Sequence, residues 1–354
     1  MESALVFSTL SDPYLLAAFW TGLGALALTL VMGAQIVYLR MSLRRQERLE
    51  KTAITKWRPL LSAALADVPP DTLPALPQRE RLPFLRLWLH LHQSVRGDAS
   101  KGLNDVAYRL GCDATARELL RKGNRAQRLL GVLVTGYLRD ATAWEELRKM
   151  AAQPDGATSM QALWALIQCD PDKAIREMMP MLLRREDWAL SQVAGVLQDA
   201  QEPCARYLSD AILQLEPAHL VRALHLAEAL RVAMHSGLLA ELMRGGDVEL
   251  TIAALRLANV PVLLDEVRAC LSHVDWRARV HAARALGRIG DRSDIERLRA
   301  MLGDTQWWVR YRAAQALVDL PFMQPEESRA LAGSINDRFA ADMLRQVIAE
   351  REAG

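Results

Sequence analysis

The chain has 354 residues, of which 51% are hydrophobic, with 44 Lys and Arg against 42 Asp and Glu. That much apolar material excludes a disordered chain, and a formal charge of only +2 argues against a protein that coats nucleic acid. The charge is unevenly spread: −2 from Met1 to Leu39, +5 from Arg40 to Arg58, and −1 over everything that follows.

Residues 1–13 are expected to form a short extracytoplasmic tip. Pro13 to Leu39 is a run of 27 positions without a charge. A helix rises 1.5 Å per residue, so about 20 apolar residues cross a bilayer core, and a transmembrane helix is predicted over 14–39. Tyr14, Trp20 and Tyr38 lie towards its ends, where amphipathic rings favour the membrane interface. A cleaved secretory signal would begin with Lys or Arg, and residues 1–13 hold neither. Arg40, Arg44, Arg45, Arg48 and Lys51 follow at once, so the positive-inside rule orients a single-pass inner-membrane protein with its N-terminus outside and its body cytoplasmic.

Within the span, Thr21, Ala25, Thr29 and Gly33 recur every four residues, a small-residue stripe on which two such helices can approach and form a homo-oligomer. A basic juxtamembrane helix is expected over 40–68. Leu43, Leu49, Ala53, Ile54 and Trp57 would be available to anionic lipid along it. Five prolines between Val68 and Pro83 remove backbone donors and mark 69–83 as a linker between that helix and the body.

From Phe84 onward the pattern is helical. Residues 84–138 are the least regular part and read as a cap plus a first repeat, with helices at 84–96, 103–110, 114–120 and 125–138. Residues 139–354 read as a repeat solenoid ending in a helix at 337–350. A shift of 31 places 275–286 on 306–317, aligning Trp276 with Trp307, Arg279 with Arg310, and Ala282-Ala283 with Ala313-Ala314. Leu166, Leu197, Leu226, Leu257, Leu286 and Leu317 follow at similar intervals, and Asp187-Trp188 reads as a helix start like Asp275-Trp276. Helical hairpins with such a period bury too little core alone and stack into an α-solenoid, with alanines where adjacent second helices meet.

These residues carry a resemblance. The segments 273–290 and 304–320 resemble HEAT repeats, especially the short bacterial type related to those of phycobilisome lyases. The shared pattern is an Asp, then a hydrophobic residue with Arg, then Ala-Ala-x-Ala-Leu-Gly. Asp304 and Arg310 hold the Asp and Arg places in the last clear copy, whereas His273 stands in the Asp place one copy earlier. The resemblance implies an all-α fold, a right-handed α-solenoid of HEAT-like helical hairpins preceded by one transmembrane helix.

Catalytic and metal signatures are absent from the sequence. There is no phosphate loop, since 97–102 has suitable residue types in the wrong order, no GxSxG turn and no HExxH helix. His90 and His92 diverge by about 200° on a helix, and His219 and His225 are also poorly spaced for one metal. Cys112, Cys169, Cys204 and Cys270 form no CxxC pair and read as small buried hydrophobes. No cofactor, metal, nucleic acid or small-molecule substrate is expected.

Arg277, His281, Arg284 and Arg288 share one face of one helix, and the same register a repeat later gives Trp308 and Arg312, together with Gln315 and Asp319. Arg and Trp are the residue types of binding hot spots. These six residues, 277 to 312, are the expected partner-binding patch, against the alternative that Asp291 and Asp294 neutralise its arginines. Trp88, His92 and Val95 are expected to join cap to first repeat, and Trp144, Trp164 and Trp188 to be core. The expected function is that of a membrane-anchored scaffold or adaptor for a protein partner; the resemblance adds envelope or exopolysaccharide glycosyltransferase systems as partners. The alternative is a HEAT-like enzyme or cofactor lyase with a cryptic concave site.

Overall fold

Among the described residues of the computed structural model, 13–66, 72–95 and 99–353, every regular element is a helix. The tip at 1–12, Pro69 and Pro70 of the expected linker, and Gly97 and its neighbours lie outside the described residues. The chain divides into two compact units between Leu138 and Arg139.

The first unit begins with helix α1, Pro13–Leu65, 53 residues without a break. The expected membrane helix and juxtamembrane helix are therefore one element. Its segment Ala17–Ser42 is long and apolar enough to cross a membrane, and none of it is buried against the rest of the chain. Further along, the same helix changes role. Ala53, Trp57 and Leu61 are fully buried and Ala64 almost so, packed with Phe84, Leu85 and Trp88 of α2 (Arg81–Gln93) and Leu103, Val106 and Ala107 of α3 (Ala99–Arg109). Trp57 meets Phe84 edge-on at 5.0 Å and donates from Nε1 to Glu80 at 3.1 Å. Lys56 Nζ reaches the same carboxylate at 3.0 Å, and its hydrogen bond, opposed by burial, holds the Glu80 carboxyl below its ordinary range.

This packing corrects one expectation. Ala53 and Trp57 are core residues, not lipid contacts, because one face of the helix here is apolar at helical spacing and a protein core is at hand to cover it. Side chains of Leu43 and Leu49 lie outside the described residues. Pro83, the last of the five prolines, lies inside α2, and the helices before and after the expected linker, α1 and α2, share one core.

Helices α4 (Cys112–Lys122) and α5 (Arg125–Leu138) complete the unit. His92 is buried against Trp88 and Tyr137, with ring centroids 4.9 and 4.3 Å away, and its Nε2 lies 3.1 Å from Asn104 Oδ1. Trp88 and His92 thus pack on α5.

The second unit is a row of hairpins: α6 (Trp144–Ala151) with α7 (Gly156–Cys169), α8 (Pro171–Arg184) with α9 (Leu190–Leu197), and α10 (Gln201–Ala211) with α11 (Pro217–Ala229). It continues with α12 (Ser236–Arg244) and α13 (Val248–Leu257), α14 (Leu264–Cys270) and α15 (Trp276–Ile289), α16 (Asp294–Met301) and α17 (Trp307–Asp319), and α18 (Pro325–Ser334) and α19 (Arg338–Ala353). Each second helix packs on the second helix of the next hairpin, from α7 through to α19.

Local chemistry sets the starts. Asp170, Asp247 and Asp275 are N-caps whose carboxylates accept from the backbone of Lys173, Leu250 and Arg277. Asp187 does not play this part: it pairs with Arg185, and α9 opens only at Leu190. The alanine pattern has the expected cause. Ala282, Ala283, Ala285, Ala313, Ala314 and Ala316 are all buried, and a Cβ added at Gly287 would stand 2.8 Å from Ala316 Cα. Of the leucine series, Leu257 is only half-buried, while Leu255 is fully buried and takes the core place.

Ionic rungs join the last repeats. Arg279 donates to both oxygens of Asp304 at 2.8 and 2.9 Å and to the carbonyls of His273 and Val274. His273 does not interrupt this rung, because its ring instead accepts from the Asp275 backbone. On the first-helix layer, Arg268 holds the completely buried Asp294 at 2.8 and 2.9 Å, and Asp291 at 2.7 Å.

Candidate functional site

Three successive second helices, α13, α15 and α17, form the walls of an open groove of about 370 Å³. Because α15 and α17 meet on alanines and Gly287, their backbones approach closely and carry longer side chains together on the outer side. Arg277, His281 and Arg284 come from α15, and Trp308 and Arg312 from α17. Five of the six expected patch residues are thus brought together. Glu249 and Ile252 of α13, with Trp276 and Val280 of α15, complete the lining.

The arginines differ in their commitments. Arg277 donates to Asp275 at 2.9 Å and to Glu249 at 2.8 Å, and these carboxylates push its pKa above the ordinary range. Arg256, nearby on α13, pairs with Glu228 at 2.7 Å. Arg312 donates to the neutral Gln315 side chain. Neither Arg284 nor Arg312 has a carboxylate within salt-bridge distance among the described residues. Asp291 and Asp294, the expected neutralising acids, are held by Arg268 on the other helix layer.

His281 lies in this positive setting. Burial, helped by the charges of Arg256 and Arg284, pushes its pKa down to about 4, so the ring is neutral at neutral pH. Its Nδ1 is buried and has no hydrogen-bond partner. Between the polar groups stand apolar walls, and Trp308 is 52% exposed.

Arg288 departs from the expected patch. Its guanidinium donates to the carbonyls of Leu255, Arg256 and Ala258, closing the C-terminal end of α13, and it does not line the groove. One helical turn beyond Arg284, it meets the orphan carbonyls of the preceding second helix, which are unsatisfied acceptors at the negative end of a helix dipole. At the end of α17, Arg351 likewise donates to the Val318 carbonyl and also pairs with the Asp319 carboxylate.

Trp276 and Glu249 are lining residues that the sequence pattern alone does not single out. Trp276 carries a signal, its alignment with Trp307, whereas Glu249 enters only because α13 stacks beside α15.

Elsewhere, Thr21 and Thr29 turn their hydroxyls back onto the carbonyls of Ala17 and Ala25, each at 2.8 Å, and Ala25 and Gly33 are exposed. Arg40, Arg44, Arg48 and Lys51 are basic positions along α1, and the Arg45 side chain lies outside the described residues. Burial pushes the thiols of Cys112, Cys169 and Cys204 up to about 12 and that of Cys270 to about 11, far from a reactive thiolate. Trp144 and Trp188 are buried, Trp164 partly so. Among the described residues, no three His, Cys, Asp or Glu side chains are grouped to hold a metal.

A row of paired helices with a continuous core defines a helical-repeat protein, a class whose extended surfaces serve to bind other proteins. More particularly, residues 237–350 match the family described as HEAT repeats, a stretch that holds every residue lining the groove. No characterised protein shows a significant match to the chain.

Proposed function

We propose that this chain is a membrane-anchored HEAT-repeat scaffold that holds a protein partner in the groove of α13, α15 and α17. The observation that carries this reading is the convergence of Arg284, Arg312, His281 and the exposed rings of Trp276 and Trp308 in one open recess. Arg and Trp at the centre of a patch supply charge-assisted hydrogen bonds and apolar area together. The apolar segment of α1 supports anchoring, and by the positive-inside rule the basic residues that follow it favour a cytoplasmic body. Because α1 runs unbroken from the apolar segment into the core around Trp57, the anchor holds the first unit at a fixed distance from the bilayer. Tethering raises the effective concentration of the scaffold towards other membrane components.

Affinity capture from solubilised membranes tests this. The variant with Arg284→Glu and Arg312→Glu is expected to lose its partner while its helical circular dichroism is unchanged; Arg277 is a poorer choice, being already neutralised. Partner recovery equal to that of the unmodified chain would remove the groove from the binding role.

A second reading, a ligand-binding or catalytic groove of a HEAT-like enzyme or cofactor lyase, is favoured by one feature, the neutral and unpartnered His281 among arginines. A small molecule that raises the melting temperature, with no protein captured, would support it over the scaffold.

A further inference from the structure

The chemistry of the partner can be read from the same groove, on the premise that it is the scaffold's binding site. We propose that the groove recognises an acidic peptide segment of the partner, one in which a carboxylate lies beside an aromatic or large aliphatic side chain.

Charge complementarity comes first. Around the groove, Glu228 answers Arg256 and Glu249 with Asp275 answers Arg277. Arg284 and Arg312 are left facing the recess with no carboxylate of their own among the described residues. A guanidinium in this state is best matched by a planar carboxylate, which accepts two parallel hydrogen bonds. His281 stands between them as a neutral ring, able to bond to a ligand without adding charge.

The walls supply the second requirement. Ile252, Val280, Trp276 and Trp308 present apolar surface that a bare inorganic anion would leave in water. The recess is also open, with Trp276 38% and Trp308 52% exposed, so a small ligand would keep much of its hydration, unlike one in the enclosed sites that bury most of a small molecule. An extended chain satisfies both: one side chain on the tryptophans, a carboxylate on the arginines.

The surface beyond the groove continues in kind. Trp308 and Phe339 occupy the same place in successive repeats, and Phe339 is 84% exposed at the start of α19, as Val274 is 97% exposed before α15. Exposed apolar side chains recurring at the same end of neighbouring hairpins extend the contact along the stack, as a bound polypeptide requires.

The test uses the full chain in nanodiscs of uncharged lipid, panned against a random peptide library. Selected sequences are expected to be enriched in Asp or Glu beside Trp, Phe or Leu. A labelled copy, followed by fluorescence anisotropy, is expected to bind about tenfold more weakly to Arg284→Gln and again to Arg312→Gln. Trp308→Ala should weaken it also, and Lys149→Gln, on an exposed residue of α6 away from this surface, should leave it unchanged. Added salt should weaken binding by screening.

Selection of no peptide, selection without acidic enrichment, or equal binding to the variant with both arginines replaced would each overturn the proposal. So would phosphatidylglycerol vesicles or inorganic phosphate displacing all probe from the unmodified chain while themselves failing to bind the doubly substituted one. If no acidic peptide is selected but charge reversal still abolishes partner capture, the scaffold reading stands and only the acidic segment is rejected. Acidic peptides bound with no partner captured would support the acidic-peptide groove and reject the scaffold.

Discussion

Asp294 has no exposed surface, and its carboxylate accepts from Arg268 at 2.8 and 2.9 Å, from Arg297 at 3.3 Å and from the Asp291 backbone at 3.0 Å. Removing one partner of such a pair leaves the other desolvated and unanswered. Asp294→Ala is therefore expected to cost about 2–4 kcal/mol in urea unfolding, and Asp294→Asn less, since it keeps the hydrogen-bonding shape. A loss below about 1 kcal/mol would show that the rung behaves as a surface pair. The sequence displays these acids and the arginine stripe, but their pairing is not legible there. Asp291 and Asp294 stand close in number to Arg288 yet precede and open α16, which belongs to the first-helix layer, so Arg268 on α14 receives them instead. Arg288 leaves the patch for a similar reason: its position on the helix face follows from the helical period, but the carbonyls that engage it belong to α13, 30 or more residues earlier.

At the scale of elements, the closeness of α15 and α17 positions the groove. Gly287 faces Ala316, and a Cβ there would lie 2.8 Å from a backbone atom that cannot rotate away. Gly287→Ala is thus expected to destabilise the fold, by about 1–3 kcal/mol, despite the better helix propensity of alanine. Calorimetry showing an equal or higher melting temperature would mean that the helices part at no cost. The helical period makes such second helices readable wherever alanines repeat. It fails at α9, where Asp187-Trp188 resembles a capped start. Asp187 is drawn into the ion pair with Arg185, and Trp188 is buried under the Arg185 guanidinium, 4.3 Å from the ring centroid. It also fails to join α1, because a run of charges looks like a boundary in composition while the backbone beneath continues as helix through Pro59.

Across the whole molecule, His92, His225 and His281 are pushed down from their ordinary pKa, each chiefly by burial. Unfolded histidines bind protons below about pH 6.5, which these three resist when folded. The unfolded state then gains protons first, so their contribution is full above pH 6.5 and is lost as pH falls; for His281 the loss continues to about 4. The groups acting on His281 are Arg256 and Glu228 from earlier helices, Arg284 on its own and Arg312 on the next. Asp275 is held low by Arg277, Asp291 by the Ser293 side chain and then Arg268, and Asp304, against its burial, by Arg279; these three add a further loss only below the ordinary aspartate range. Thermal unfolding is expected to move to lower temperature between about pH 6.5 and 4.5, less so in His281→Gln. A midpoint constant over that interval would contradict the buried neutral state.

By itself the sequence determined the class of fold, the repeat and the apolar segment, because each is periodic or compositional and is set by neighbours within one or two turns. It also placed five groove residues on two helix faces, since facial registers follow from the helical period alone. Only the tertiary structure decided which arginines are spent. Arg277 on Glu249, Arg288 on the end of α13 and Arg268 on Asp294 are partnerships across 26 or more residues, fixed by the stacking of hairpins. What that stacking leaves over, Arg284 and Arg312 beside two exposed tryptophans, is the surface on which the proposed function rests.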